Sequence, residues 1–163
     1  MSNIALGQQL ELLFQQQINA AAELLQLLQD ENQALIQRDY ERTSQLTNLK
    51  KTKGAEIDLL NNQLSQMFAA AQAPKLHEAI DKLIAELPSQ LGNKLKQIKS
   101  KLEQTSLSCQ DQNTINGQII AVNKQSAETA LAILRGQFST NELTYGAGGQ
   151  PVKDKLATSI TKA

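Results

Sequence analysis

Apolar residues recur along this chain in steps of three and four, the spacing that gathers side chains on one face of an α-helix. In the first stretch they include Leu6, Leu10, Leu13, Phe14, Ile18, Ala21, Leu24, Leu28 and Leu35. That stripe is wide enough to meet more than one neighbour. Ser2 or Asn3 can cap its start, the pattern weakens at Gln37, and Asp39 stands where a new helix would be capped. The second stretch runs Leu46, Leu49, Lys53, Ile57, Leu60, Leu64, then Met67 or Phe68, and keeps its phase across Gly54. Pro74 fits the first turn of a short helix carrying Leu76, Ile80, Leu83, Ile84 and Leu87. Pro88 then introduces a long seam: Leu91, Leu95, Ile98, Leu102, Thr105, Cys109, Asn113, Asn116, Ile120, Asn123, Ala127, Ala130 and Leu134. A heptad kept this long implies coiled-coil packing, and Gly136 is the expected stop. The spacing therefore predicts helices over about 3–37, 40–72, 74–87 and 89–135, the last a rod of roughly 72 Å at about 1.5 Å per residue.

The fold class that follows is all-α: an elongated antiparallel helical bundle or coiled coil over 1–136, with a long carboxyl-terminal helix and a flexible tail over 137–163. The tail holds Tyr145-Gly146-Ala147-Gly148-Gly149 and Pro151, with too little apolar surface to offset chain ordering. One turn is expected where Ser139 precedes Glu142 in a capping-box spacing. Composition agrees with packed helices rather than an aromatic-centred globule. Leu (25) and Gln (22) dominate, against three Phe, two Tyr and no Trp.

Charge and chemistry remove several functions. Sixteen basic residues balance sixteen acidic ones, which disfavours a nucleic-acid partner or electrostatic docking on anionic lipid. The run Lys94, Lys96, Lys99 and Lys101 reads as a solvated helix face. A single cysteine fits a reducing cytoplasm, no amino-terminal secretory pattern is visible, and no run reaches the length that spans a bilayer. His77 is the only histidine and has no metal-ligand spacing to Cys109, which sits on the seam as a small hydrophobe. The glycines after Tyr145 lack the Lys-Ser/Thr of a phosphate loop. The expectation is a protein that is no enzyme, with no cofactor and no metal.

The polar seam residues say more. Asn113, Asn116 and Asn123 occupy places where a rod built only for stability would carry Leu or Ile, because an unsatisfied buried amide costs roughly 1–3 kcal/mol. Two readings stay open. The amides fix register against a neighbouring helix, or they leave this half of the rod under-packed for a client helix gripped by Ile119, Ile120, Leu131 and Leu134.

The stretch Asn113-Thr114-Ile115-Asn116-Gly117-Gln118-Ile119-Ile120, with Asn123, Ala130-Leu131, Leu134 and Leu143-Thr144-Tyr145-Gly146-Ala147-Gly148-Gly149-Gln150, resembles the carboxyl-terminal signature of the FlgN-type flagellar export chaperones. Leu24 through Asp39 is similar to the family's first hairpin. The resemblance implies a cytoplasmic chaperone of type III export whose clients are hook-associated proteins. It would hold their carboxyl-terminal amphipathic segments, prevent premature assembly and deliver them to a membrane export gate. Asn113, Asn116, Ile119, Ile120, Asn123, Leu131 and Leu134 would bind the client, and Tyr145 would dock the gate, an amphipathic ring being well suited to entering a pocket. The alternative from the residues alone is a coiled-coil structural or tethering protein that self-associates, so a homo-oligomer stays open.

Overall fold

A computed structural model describes residues 3–69, 75–136, 144–145 and 151–152. They form α1 (Asn3–Gln37), α2 (Tyr40–Ala69), α3 (Leu76–Glu86), α4 (Ser89–Leu134) and a pair of two-residue strands, β1 (Thr144–Tyr145) and β2 (Pro151–Val152). The class is all-α. The chain divides into two compact units, Met1–Val122 and Asn123–Ala163.

Local chemistry sets the boundaries in the first unit. At the end of α1 the Asp39 N–H reaches the Ala34 carbonyl (2.9 Å) and the Arg38 N–H that of Leu35 (3.2 Å). This double closure requires a left-handed residue, and Arg38 supplies it at φ 56° where glycine is usual. Asp39 then caps α2, its Oδ1 accepting the Arg42 N–H at 2.9 Å. Leu87 ends α3 in an extended conformation (φ −80°, ψ 155°), as the residue before a proline must, and Pro88 leads into α4.

Cross-helix pairs give the direction of each pass. Gln17 bonds Asn61 (2.9 Å), Glu23 pairs with Lys53, and Glu31 pairs with Lys50 (2.8 Å), so α2 descends as α1 rises. The Glu23 and Glu56 carboxylates hold the Lys53 ammonium above the ordinary lysine range. Asn3 bonds Glu86 at 3.0 Å, which puts the end of α3 beside the start of α1. Asp81 with Lys99 (2.5 Å) and His77 with Glu103 (3.6 Å) make α3 and α4 antiparallel. Between α1 and α4, however, the pairs are Glu11 with Lys94, Ala21 with Cys109, and Leu28 with Asn116, so both numbers rise together. These two helices are parallel. The antiparallel arrangement thus holds for α1 with α2 and for α3 with α4, while the descending pass is split into α2 and α3 and α4 makes the third pass.

The apolar core fills the half of this unit around the start of α1. Leu10, Leu13 and Phe14 pack with Leu60, Leu64 and Phe68 of α2, Ile80, Leu83 and Ile84 of α3, and Leu95 of α4. Two glycines permit close approach at the α3–α4 corner. A methyl on Gly7 would lie 2.7 Å from Leu87 Cδ1, and one on Gly92 would lie 2.9 Å from the Ile84 carbonyl oxygen.

In the second unit, α4 carries a Lys124–Glu128 ion pair at 3.9 Å and is followed by Arg135 and Gly136. Gly136 has φ 68°, and its N–H donates to the Ile133 carbonyl (3.1 Å). Thr144 pairs with Val152 and Tyr145 with Pro151, antiparallel. The rest of the tail read from the sequence, with the Ser139–Glu142 turn, lies outside the described residues, as do residues 70–74, which span the end of the second predicted helix and the Pro74 start of the third.

Arg38→Gly should stabilise the protein by a net of about 1 kcal/mol or less, the left-handed strain being relieved but the unfolded chain gaining freedom. Gly92→Ala should destabilise more than Gly7→Ala, because a carbonyl fixed in α3 cannot turn aside as the Leu87 side chain can. Urea unfolding followed by circular dichroism reads all three.

Candidate functional site

The seam of α4 is built from residues that α1 leaves little room to replace. Between Thr105 and Asn123 of α4, Cys109 and Asn116 are buried, and Thr105, Gln112, Ile119 and Asn123 are half-buried. These six follow the alternation of four and three throughout. The inward positions are therefore Gln112 and Ile119, where the sequence reading had placed Asn113 and Ile120. Both of the latter are exposed. The difference is one residue, about 100° of helix rotation.

Asn116 is 1% exposed. Its Nδ2 donates to the Leu28 carbonyl and to Glu31 Oε2, both at 2.8 Å. Its Oδ1 accepts from Asn32 Nδ2 (3.0 Å) and Gln112 Nε2 (3.1 Å). An asparagine amide has two donors and two lone pairs, so all four of its bonds are made inside the protein. Glu31, also 1% exposed, receives Lys50 Nζ from α2 on the same oxygen that Asn116 bonds from α4. About two turns before Asn116, the Cys109 thiol donates to the Ala21 carbonyl at 3.3 Å. Burial pushes that thiol's pKa up.

The remaining positions singled out in the sequence are distributed differently. In the first unit, Asn113 and Ile120 face solvent and Ile119 is half-buried. In the second, Asn123 is half-buried, and Leu131 and Leu134 are exposed, Leu134 at 83%. Tyr145 lies in β1. Sequence reasoning missed Glu31, because a lone acidic residue on a helix carries no sign of burial. It also missed the exposed Ile115 and Val122, which lie off the seam, although their spacing of seven around Ile119 was readable.

No group of three or more His, Cys, Asp or Glu placed to hold a metal ion occurs among the described residues. No helix among them is long and apolar enough to cross a membrane. His77 neighbours Glu103, whereas Cys109 neighbours the Ala21 carbonyl. A bundle whose carboxyl-terminal helix mixes a satisfied polar seam with exposed aliphatic side chains has the make-up of a helical binding protein. Residues 1–153 match the family described as FlgN protein, and the chain belongs to that family of flagellar export chaperones. Comparison with curated proteins returned no match, and comparison with solved structures returned none either.

Asn116→Ala should destabilise by about 1–3 kcal/mol, since the buried Glu31 carboxylate loses a donor. Combined with Glu31→Gln, the two changes should be non-additive by about 0.5–3 kcal/mol in urea unfolding, because the two side chains share a hydrogen bond. The raised thiol pKa lowers the thiolate fraction at any given pH, so Cys109 should react slowly with a thiol reagent near about pH 8 and rapidly in denaturant.

Proposed function

We propose that this protein holds the carboxyl-terminal amphipathic segment of hook-associated proteins in the cytoplasm, prevents their premature assembly, and delivers them to the membrane export gate. Membership of a chaperone family sets the general role. The observation that carries the finer reading is the set of aliphatic side chains left in solvent on α4, Ile120 in the first unit and Leu131 and Leu134 in the second. Such side chains supply the grip that an amphipathic helix needs, at about 25 cal/mol per Å² of apolar area covered.

Asn113 and Asn123 would add hydrogen bonds beside that grip, and Ile119 would contribute the part of its surface that α1 leaves open. Asn116 would act from beneath, keeping α4 in register while its neighbours meet the client. Tyr145 would dock the gate. The protein acts by binding, without a chemical step.

Isothermal titration with the carboxyl-terminal segment of a hook-associated protein should give a saturable heat and a co-purifying complex. Tyr145→Ala should leave that heat unchanged and abolish secretion of the client. Loss of both together would place Tyr145 in the client groove instead of at the gate, and absence of any heat would sink the client assignment.

A further inference from the structure

The buried stripe of α1 is interrupted by an amide. Gln17 stands four residues after Leu13 and three before Ala20, where a leucine would close the packing against α2. It is 5% exposed. Its Nε2 donates to Asn61 Oδ1 at 2.9 Å, but its Oε1, covered from solvent, has no hydrogen-bond partner among the described residues. A buried acceptor left unpaired is one of the more costly defects a core can carry.

Gln17 also lines a cleft of about 180 Å³ where α1, α2, α3 and α4 meet. The apolar walls are Phe14, Leu64, Leu76, Ile80 and Leu102. The charged groups beside it engage one another, Lys99 with Asp81 at 2.5 Å and His77 with Glu103 at 3.6 Å, so the space favours a neutral occupant. A cavity of about 150 Å³ walled by Leu, Ile and Phe admits benzene, and this cleft has room for one ring and little more. Water suits it less, since a buried water needs about two to four polar partners and the walls beside Gln17 are largely aliphatic. A ring carrying a hydroxyl answers both features. Its body covers the apolar walls, where Phe14 offers an aromatic neighbour. Its O–H donates to Gln17 Oε1 once the terminal amide turns toward the cleft, about a torsion with a broad profile.

We infer that this cleft binds a neutral single-ring phenol, the chemistry shared by free p-cresol and a partner's tyrosine side chain, and that Gln17 reads the hydroxyl. The inference is independent of the client reading, because none of the residues assigned to the client or the gate borders the cleft.

The test titrates the full chain with p-cresol under heteronuclear NMR. Binding should saturate with a dissociation constant of about 1 mM or tighter, with Overhauser contacts from the ring to the methyls of Leu64, Ile80 and Leu102. Toluene, the same ring without the hydroxyl, should bind at least about fivefold more weakly. Gln17→Met keeps the side-chain length and removes the acceptor, so it should abolish that preference while circular dichroism shows the helices intact. A blocked Ala-Ala-Tyr-Ala-Ala peptide and its Phe counterpart separate the two sources. Binding of the Tyr peptide with the same hydroxyl preference assigns the cleft to a partner's tyrosine, and binding of p-cresol alone assigns it to a free phenol. No saturation by p-cresol up to about 10 mM, or equal affinity for toluene, would overturn the inference. So would ring contacts away from the cleft, or a hydroxyl preference that survives Gln17→Met.

Discussion

A carboxylate buried among helices must find hydrogen-bond donors, and Glu31 finds them on two different helices at once. Lys50 reaches it from α2 and Asn116 from α4. Removing either partner leaves charge away from water, which is far more costly than a pair of exposed charges is worth. Only one register of α2 and one of α4 places both donors against that oxygen. The interaction therefore specifies how the three passes align rather than supplying most of their stability. The bulk of the cohesion comes from the Leu, Ile and Phe cluster around the start of α1.

This division of labour runs along the length of the first unit. Near Leu10 and Leu95 the passes meet through close-packed aliphatic groups, both fully buried. Near Leu28 and Asn116 they meet through amide, carboxylate and backbone carbonyl. Aliphatic contacts tolerate sliding and exchange of similar shapes, while a four-bonded amide does not. On the proposed reading, α4 offers apolar side chains to a client without drifting on its own scaffold. Anchoring it by directional bonds on one face releases the other face from any structural duty.

Much of the fold was legible because its boundaries depend on local chemistry. Asp39 accepts the Arg42 N–H as its position suggested, and Gly136 takes the left-handed conformation expected of a helix stop. The directions of the passes were less accessible. Periodicity tells which face of a helix is covered but not by which neighbour, so the parallel pairing of α1 with α4 is visible only in the folded structure. The one-residue displacement from Asn113 to Gln112 has a similar origin. Polar residues stand at both positions, and hydrophobic periodicity cannot choose between two amides. The tie between register and client for the asparagines was undecidable for the same reason, since a satisfied amide and an available one are spelled alike. Family resemblance was readable in the Asn113–Ile120 and Tyr145–Gly149 stretches, which no argument from periodicity would have linked to export.

The parallel pass of α4 also bears on the order in which the molecule assembles. Ala21 with Cys109 and Leu28 with Asn116 are each separated by eighty-eight residues, whereas Glu31 and Lys50 are nineteen apart. Closing a longer loop costs more chain entropy and contributes to slower folding. The α1–α2 hairpin can zip from its Arg38 turn with Glu31 already paired to Lys50, while the amide that completes the carboxylate arrives with the last helix. The contacts that fix the register of α4 are thus the ones with the longest loops to close.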